Sequence, residues 1–447
     1  MKFQKHILIA VIFIISFGNA FSQSGMRFPE LEKRLEPYFA EDLIADIRKE
    51  LPQGTKYTIW GWDVGDFSGD GYYDVAISVK IAGDKNKRMH VYLFVDIDGF
   101  LTQVASFPYE YYELPLEIGV VIKNGTCYIT KKFEEYNWLI RGYRFDNGAI
   151  MVYDEYQTKR INNFTYETYN NYVTLQYDER YLETATGREL MSADYLNIIS
   201  YPRGKKVYKG YAEETYTNYV DYVYKGAYHW NGDKDCSFTV KSAYDEDYLY
   251  FVITVFDKNI IAHNYEYYPA DNVELWFDIN FVGKDHNRLM DTSKKEIAYR
   301  TNAEFGIYNF VVFPGDFYER KAYVKEICST DDFYYFQENA VEDIKVVSSL
   351  LDDSYQLKIK IPFIIFGFEK APVKEDKITE IGCSIIVNDI DNEYRPEEET
   401  EISTSNFNRN NPSSYGSLLL IPKGKWYGEV TNIYENEILK HLKDLGF

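Results

Sequence analysis

The stretch CSFTVKSAYDEDYLYFVITVFD, from Cys236 to Asp257, is rich in the aromatic and β-branched residues that favour extended strands. Stretches of the same kind follow it, separated by turn residues: DNVELWFDIN (271–280), FGIYNFVVFPG (305–315), YQLKIKIPF (355–363), EIGCSIIVNDID (380–391) and YGSLLLI (415–421). Their spacing is typical of a β-sandwich. We therefore predict a mainly β fold, with an antiparallel β-sandwich over residues 205–422.

The preceding part of the chain, residues 27–200, is predicted to be an antiparallel β domain that begins with a short helical segment. Apolar residues of RFPELEKRLEPYFAEDLIADIRKEL (27–51) recur at helical spacing and are interrupted by Pro37, which predicts a short helix and then a longer one. From Tyr57 onward the apolar residues recur at every second position, which is the spacing of a strand. Asn124-Gly125 and Asn147-Gly148 are hairpin-turn signals. Residues 423–447 read as a closing helical tail.

Residues 1–23 have the layout of a secretory signal peptide. Lys2 and Lys5 precede an apolar run from Ile7 to Phe17, with small residues near Ala20. This run is shorter than the roughly 20 residues that cross a bilayer. We expect a soluble mature protein that does not span a membrane and is secreted, periplasmic or held at the cell surface.

The amino-acid composition limits the class of ligand that this protein is expected to bind. The chain has 447 residues, enough for two or three domains, and includes 44 Tyr, 29 Phe and 6 Trp. Its formal net charge of −21 argues against nucleic acid as a partner, because a basic surface is needed to neutralise phosphates. A strongly negative net charge favours a neutral ligand or bound cations.

The four cysteines do not form a short-spaced metal or redox motif. They are Cys127, Cys236, Cys328 and Cys383. Their scatter predicts buried thiols, although export would permit a disulfide among the last three, with the pairing open.

The loop DFSGDGYYD, from Asp66 to Asp74, carries oxygen ligands at positions one, three, five, seven and nine. These ligands are Asp66, Ser68, Asp70, the backbone carbonyl of Tyr72, and Asp74. Calcium takes six to eight hard oxygens, and alternating positions of a tight loop direct them to one centre. An EF-hand would need Glu at position twelve, where this sequence has Ile77. The prediction is a bound Ca²⁺ that is not an EF-hand site; the alternative is an acidic turn without an ion.

The stretch VGDFSGDGYYDVAI, which contains this loop, resembles the calcium loop of FG-GAP and related VCBS-type repeats. The resemblance covers about fifteen residues in one copy, so it implies bound calcium and not a propeller.

The C-terminal stretches, taken in order, resemble the family 9 carbohydrate-binding module. The resemblance runs over residues 205–422: a Tyr-Leu-Tyr strand, an Asp-x-Val-Glu-Leu strand, an amphipathic strand ending in Pro, and the Asn-Asp-x-Asp turn. It implies a poly- or oligosaccharide as partner. In that family two aromatic side chains sandwich a sugar ring while Glu, Arg and amide groups bind its hydroxyls.

The resemblance also implies which residues of this chain would bind sugar: Tyr268 and Phe407 as aromatic platforms, Glu274, Arg300 as the cation, and Asn388 as the amide. Neither platform position is Trp, which reduces the stacking area. Trp276 either packs in the core or forms a wall of the predicted sugar-binding site. Asp389 and Asp391 either hold a second calcium or form a turn.

The predicted function is that of a non-catalytic, exported carbohydrate-binding protein that assists polysaccharide capture or utilisation. Three other functions are alternatives. A glycoside hydrolase would need two carboxylates at a set separation, and no recognisable catalytic motif occurs, so we expect no enzyme activity. Haem binding would draw on His229, His263, His286 and Met290, but no haem-attachment motif is present. A further alternative is an envelope structural or assembly protein whose sandwich has lost sugar binding.

Overall fold

The computed structural model describes residues 25–52, 57–81, 88–110, 117–134, 137–203, 216–217, 223–263, 269–279, 306–326, 329–330, 333–334, 340–374, 377–409 and 414–428. The secretory signal predicted at 1–23 and the tail beyond residue 428 lie outside these residues. The chain folds into two compact units. The first comprises Met1–Val173, Leu182–Arg188 and Gly428–Phe447, and the second comprises Thr174–Tyr181 and Glu189–Tyr427.

The first unit opens with two helices that pack on a four-stranded sheet. The elements are α1 (Phe28–Leu35), α2 (Glu41–Glu50), β1 (Tyr57–Gly65), β2 (Asp74–Ile81), β3 (Arg88–Ile97) and β4 (Phe100–Glu110). The strands are antiparallel in sequence order. Leu31 and Ile47 of the helices share a core with Val75 and Ile77 of β2. The predicted short helix followed by a longer one is confirmed.

The other face of that sheet packs against a second antiparallel run of strands. These are β5 (Glu117–Lys123), β6 (Thr126–Glu134), β7 (Asn137–Asp146), β8 (Ala149–Ile161) and β9 (Phe164–Asn171). Ala76 and Leu93 of the first sheet share a core with Ile118 and Ile129 of the second. Both predicted hairpin turns are confirmed: Asn124 and Gly125 have φ of 52° and 71°, and Asn147 and Gly148 have φ of 51° and 80°. Paired positive φ values of this kind define a type I′ turn.

The rest of the chain supplies the remaining strands. They are β10 (Gln176–Glu183), β11 (Glu189–Leu196), β12 (Ile198–Pro202), β13 (Tyr216–Thr217), β14 (Val223–Lys225), β15 (Cys236–Tyr244), β16 (Tyr248–Asp257), β17 (Asn272–Asp278), β18 (Ile307–Phe313), β19 (Tyr323–Glu326), β20 (Ser329–Thr330), β21 (Phe333–Tyr334), β22 (Lys345–Leu350), β23 (Ser354–Pro362), β24 (Thr379–Asp389), β25 (Thr400–Ser403) and β26 (Ser417–Leu420). A short helix α3 (Ala340–Asp343) and 3-10 turns at Phe363–Phe366 and Pro396–Glu398 join them.

The second unit is a β-sandwich built from one large folded sheet. Its main path runs β19-β18-β17-β24-β26-β12-β15-β16-β23-β22. The sheet folds over so that β17 faces β16, with the Phe277 and Phe251 ring centroids 6.2 Å apart. Alternate residues of β15, β16, β17, β23 and β24 point into this core. The predicted mainly β fold with an antiparallel sandwich is confirmed, except that β12 runs parallel to both β15 and β26.

Two further observations concern the part of the chain that the structure describes. No helix there is long and apolar enough to cross a membrane. Cys127, Cys236 and Cys383 are buried, which confirms the predicted burial of these three cysteines. Cys328 lies outside the described residues.

Asp74, at the start of β2, holds the preceding loop closed. Its Oδ2 accepts hydrogen bonds from the backbone amides of Phe67 at 2.7 Å and Ser68 at 2.9 Å, and its Oδ1 accepts one from Asp96 at 3.2 Å. The side chain is fully buried. Burial raises the pKa of Asp74 to about 6, although the three amides favour the ionised form. The loop therefore depends on this carboxylate for its backbone geometry.

Replacing Asp74 by Ala should lower the free energy of unfolding of the first unit by about 2–4 kcal/mol. Each lost hydrogen bond is worth roughly 1 kcal/mol, and the amides left without acceptors add to the loss. Urea denaturation of the full chain measures it. Asp70→Ala, compared with it in the presence of a calcium chelator, is the matched control, because exposed Asp70 accepts a hydrogen bond from the Tyr72 amide and should change stability far less. Equal stability of Asp74→Ala and wild type would contradict the assignment.

Candidate functional site

Glu274 lies on the side of β17 that faces away from the main core. Val273, Leu275 and Phe277 point into that core, so Glu274 and Trp276 alternate onto the opposite face. Glu274 is nevertheless only 8% exposed. A carboxylate buried to this degree needs charge compensation and hydrogen bonds.

Three side chains supply donors to Glu274. Its Oε1 accepts from Asn388 Nδ2 at 2.9 Å and from Arg409 Nη2 at 2.9 Å. Its Oε2 accepts from Trp276 Nε1 at 2.7 Å. Asn388 lies on β24, beside β17, and also donates to Asn272 Oδ1 at 2.7 Å. The structure thus brings together the predicted residues Glu274 and Asn388.

Arg409 joins Glu274 to a second buried carboxylate, Glu401 of β25. Its Nη2 lies 3.0 Å from Glu401 Oε2, and Glu401 also receives Lys225 Nζ at 2.6 Å and the Tyr224 hydroxyl. The two carboxylates raise the pKa of the Arg409 guanidinium against the effect of burial. The Arg409 side chain is 41% exposed, so it is the part of this network that faces solvent.

Phe407 does not present a stacking face, which corrects its assignment as a platform. It is 4% exposed and packs in a small cluster with Tyr415, Trp276 and Tyr224. Its ring centroid lies 5.2 Å from that of Tyr415, in a stacked arrangement. The apolar outer side of β17 and β24 must be covered, and the Phe407 ring covers it. Trp276 is core in the same cluster.

The other two predicted residues, Tyr268 and Arg300, lie outside the described residues. Sequence reasoning assigned the cation to Arg300 and missed Arg409. A signal for Arg409 was present, because it follows Phe407 by two residues in STSNFNRNN, the same stretch that supplied the second platform.

The predicted calcium ligands of the Asp66–Asp74 loop lie at a tight turn between β1 and β2. Asp66 accepts the amides of Gly69 at 2.6 Å and Gly71 at 2.9 Å, and Asp70 accepts that of Tyr72. Asp74 is directed to the backbone, as described above. Carboxylate oxygens that accept one amide keep a lone pair for a cation. Of the predicted set, Asp66, Ser68 and Asp70 fit calcium better than Asp74, and the site stays a prediction.

A second acidic cluster lies in the second unit, where β16 and β24 end. Oxygen atoms of Asp257, Asp389 and Asp391 all lie within 4.8 Å of one another, which among the described residues is the group whose geometry suits a metal. Asp389 is 3% exposed, and its Oδ1 is buried without a hydrogen-bond partner. Calcium oxygens at about 2.3–2.6 Å from the ion would be spaced in this way.

The protonation of this cluster reflects its burial. Burial, then the charges of Asp257, Asp391 and Asp235, raises the pKa of Asp389 to about 8. Burial and the neighbouring Asp257 and Asp389 charges also raise the pKa of Asp271 well above its usual range. Asp271 itself accepts backbone amides of Ile261 and Ile390 at 2.7 and 2.9 Å. Burial and the neighbouring charges thus favour the protonated forms of Asp389 and Asp271.

The haem candidates do not form a ligand set in the described residues. His229 is exposed, and His263 Nε2 lies 3.3 Å from Glu393 Oε2. His286 and Met290 lie outside the described residues.

Comparison with known proteins bears on the second unit. Residues 209–423 match the family described as carbohydrate family 9 binding domain-like. This match confirms the sequence resemblance for that region. No curated protein matches the chain. The resemblance of the N-terminal loop to FG-GAP repeats stays a prediction.

Two similar solved structures are of a family 9 carbohydrate-binding module from Caldicellulosiruptor kristjanssonii, one in complex with glucose and one with cellotriose. Each is 18% identical to this chain, with a TM-score of 0.31. The alignments cover 52% and 53% of this chain and 98% of each module.

Replacing Arg409 by Ala should lower the free energy of unfolding of the second unit by about 3–5 kcal/mol. The change leaves buried Glu274 and Glu401 without their shared cation. Chemical denaturation measures the effect. Arg395→Ala is the matched control, since the Arg395 side chain is 63% exposed and pairs with Glu398 three residues away. Similar small losses in both variants would show that the Arg409 network does not stabilise the fold.

Proposed function

We propose that the second unit is a non-catalytic carbohydrate-binding domain. The observation that carries the proposal is the buried Glu274, held by Asn388 and by a half-exposed Arg409, within the region that matches the family 9 model. Sugar hydroxyls that leave water need paired donors and acceptors, and charged partners give the stronger hydrogen bonds.

The network supplies both a hydrogen-bond donor and a hydrogen-bond acceptor in a fixed geometry. A guanidinium has five N–H donors, and Arg409 directs some of them to Glu274 and Glu401. The exposed part of its fork donates to a sugar hydroxyl. Glu274 accepts three hydrogen bonds of the roughly four that a carboxylate takes, which leaves one acceptor position for the same sugar.

The same geometry supports a binding role over glycoside hydrolysis. A glycosidase needs one carboxyl that gives up a proton and a second that acts separately. Here one guanidinium pairs with both Glu274 and Glu401, so the two carboxylates belong to a single network and do not act separately. We therefore propose a binding protein without hydrolytic activity at this site.

We further propose that the protein is exported and helps to capture polysaccharide for utilisation. The signal layout of residues 1–23 supports export. The alternative, an envelope structural or assembly protein, is favoured by one observation: Phe407 is buried and offers no stacking face. Saccharide titration distinguishes the two.

We also propose that calcium stabilises the protein. Asp257, Asp389 and Asp391 fit an ion through their spacing and through the unpartnered Asp389 Oδ1, and Asp66, Ser68 and Asp70 form the second candidate. When bound, calcium would supply positive charge to carboxylates that otherwise repel one another.

Arg409→Lys should weaken saccharide binding by about ten- to a hundredfold. Lys keeps the positive charge but lacks the planar fork, and one hydrogen bond to a charged group is worth about 1.5–3 kcal/mol. Isothermal titration with neutral oligosaccharides, including glucose and cellotriose, measures the affinity, and circular dichroism confirms folding. Arg395→Lys is the control and should bind as wild type does. Full affinity of folded Arg409→Lys would place the site elsewhere. No binding of any glycan by the wild type would favour the envelope alternative.

Chelation should lower the melting temperature of the wild type, because an ion that binds only the folded state stabilises it by mass action. Asp391→Ala removes a partly exposed ligand and should abolish most of the response of the second unit. Asp70→Ala makes the same change in the N-terminal loop and should affect only the first unit. Calorimetry with calcium and with chelator measures each transition. A wild type that is indifferent to chelator would contradict both sites.

A further inference from the structure

A basic face lies on the outer side of the sandwich, on strands β15, β16, β23 and β22. Lys241, Lys358 and Lys360 alternate with core residues of their strands, and Lys345 lies on the same side of β22. Arg203 follows β12 at its rim. In the described residues of these four strands, no carboxylate points to this face, although the whole chain has a net charge of −21.

The strand register sets like charges against one another on this face. Lys345 is the direct cross-strand partner of Lys360, and Lys358 lies between Val252 and Val347. Like charges in directly opposite positions destabilise a sheet. The Glu342 carbonyl, which accepts from Lys345 Nζ at 2.7 Å, and the Asp245 carboxylate, which attracts Lys360, offset part of this cost, and a bound anion would offset more.

Two of the cations are held by aromatic rings. Lys360 Nζ lies 3.5 Å from the centroid of the Tyr248 ring, and Arg203 Cζ lies 4.4 Å from that of Tyr250. Tyr250 in turn donates its hydroxyl to Asp245 Oδ2 at 2.6 Å, which fixes its ring. Cations positioned in this way lose less freedom when an anion binds. Because cations lie over the rings, these tyrosines are not platforms for base stacking.

The basic face is concave. A cavity of about 660 Å³ is lined by Arg203, Lys241, Tyr250, Lys345, Lys358 and Lys360, among others. Pockets that enclose small-molecule ligands have volumes on the order of 300–1,000 Å³. Val252 and Val347 give the same surface an apolar part, and Val347 is 60% exposed. Neighbouring strands are about 4.8 Å apart, so cations that come from β15, β22, β23 and the end of β12 are spread too widely for one small anion.

We propose that this face binds an anionic oligosaccharide, whose carboxylate or sulfate groups pair with Lys345, Lys358, Lys360 and Arg203. The sugar rings lie along the apolar part at Val252 and Val347. The negative charge elsewhere on the chain is screened over about 8 Å at physiological ionic strength, so the local cations decide the interaction. Glu274 lies on the outer face of β17, whereas β16, which β17 faces across the core, carries its outward residues on the basic face. The two sites are therefore separate, and this proposal does not rest on the other.

The test is isothermal titration of the full chain with trigalacturonate and with a sulfated heparin tetrasaccharide at low salt. We expect binding that weakens as salt is added. The double variant Lys345→Gln/Lys358→Gln should lose at least about tenfold in affinity for the acidic sugar, because it lacks two charged donors. Both lysines are exposed and outside the core, so folding should be unaffected. A preference for one probe identifies the anion as carboxylate or sulfate.

Controls separate this proposal from general charge effects and from the Glu274 site. Lys423→Gln removes one exposed lysine elsewhere on the sandwich and should bind as wild type does. Arg409→Lys should keep its affinity for acidic sugar. No binding of either acidic probe by the wild type, or an equal loss in Lys423→Gln, would overturn the proposal. Equally tight binding of single-stranded DNA of matched charge would overturn the saccharide assignment.

Discussion

Buried carboxylates must be compensated, and the second unit meets this requirement in two different ways. On the outer side of β17, the single guanidinium of Arg409 holds Glu274 and Glu401. At the ends of β16 and β24, Asp257, Asp389 and Asp391 have no such cation among the described residues, and the pKa of Asp389 rises to about 8. The first arrangement gives its two carboxylates a shared cationic hydrogen-bond donor. The second arrangement is stabilised either by protonation of its carboxylates or by a bound metal ion.

The alternation of the strands decides where these groups lie. Successive residues of β17 point to opposite sides, so Phe277 enters the core beside Phe251 while Glu274 and Trp276 face outward. The same alternation on β23 sends Leu357 and Ile359 inward and Lys358 and Lys360 outward. One sandwich thus carries an Arg-held acidic network on one outer face and a basic groove on another. We propose a neutral saccharide as the ligand of the first face and an acidic saccharide as that of the second.

Much of the candidate site follows from local patterns, and part of it does not. The stretch DNVELWFDIN and the Asn-Asp-x-Asp turn carried the resemblance to the family 9 module, and that resemblance implied Glu274 and Asn388 as site residues. The role of Phe407 depended on burial: its ring was needed to cover Trp276 and Tyr415, and it left no face for a ligand. Arg409 was missed because its carboxylate partners lie 135 residues away at Glu274 and on β25 at Glu401.

The sequence by itself determined the strands, the two early helices and the Asn-Gly hairpin turns, because period, Pro37 and the tolerance of Asn and Gly for positive φ act within a few residues. Tertiary structure alone decided that β12 runs parallel between β15 and β26, and that Asp74 turns inward to three amides. It also decided that lysines of three strands, β15, β22 and β23, share one groove. Strand order and register fix these contacts, and both result from packing of the whole core between segments far apart in the chain.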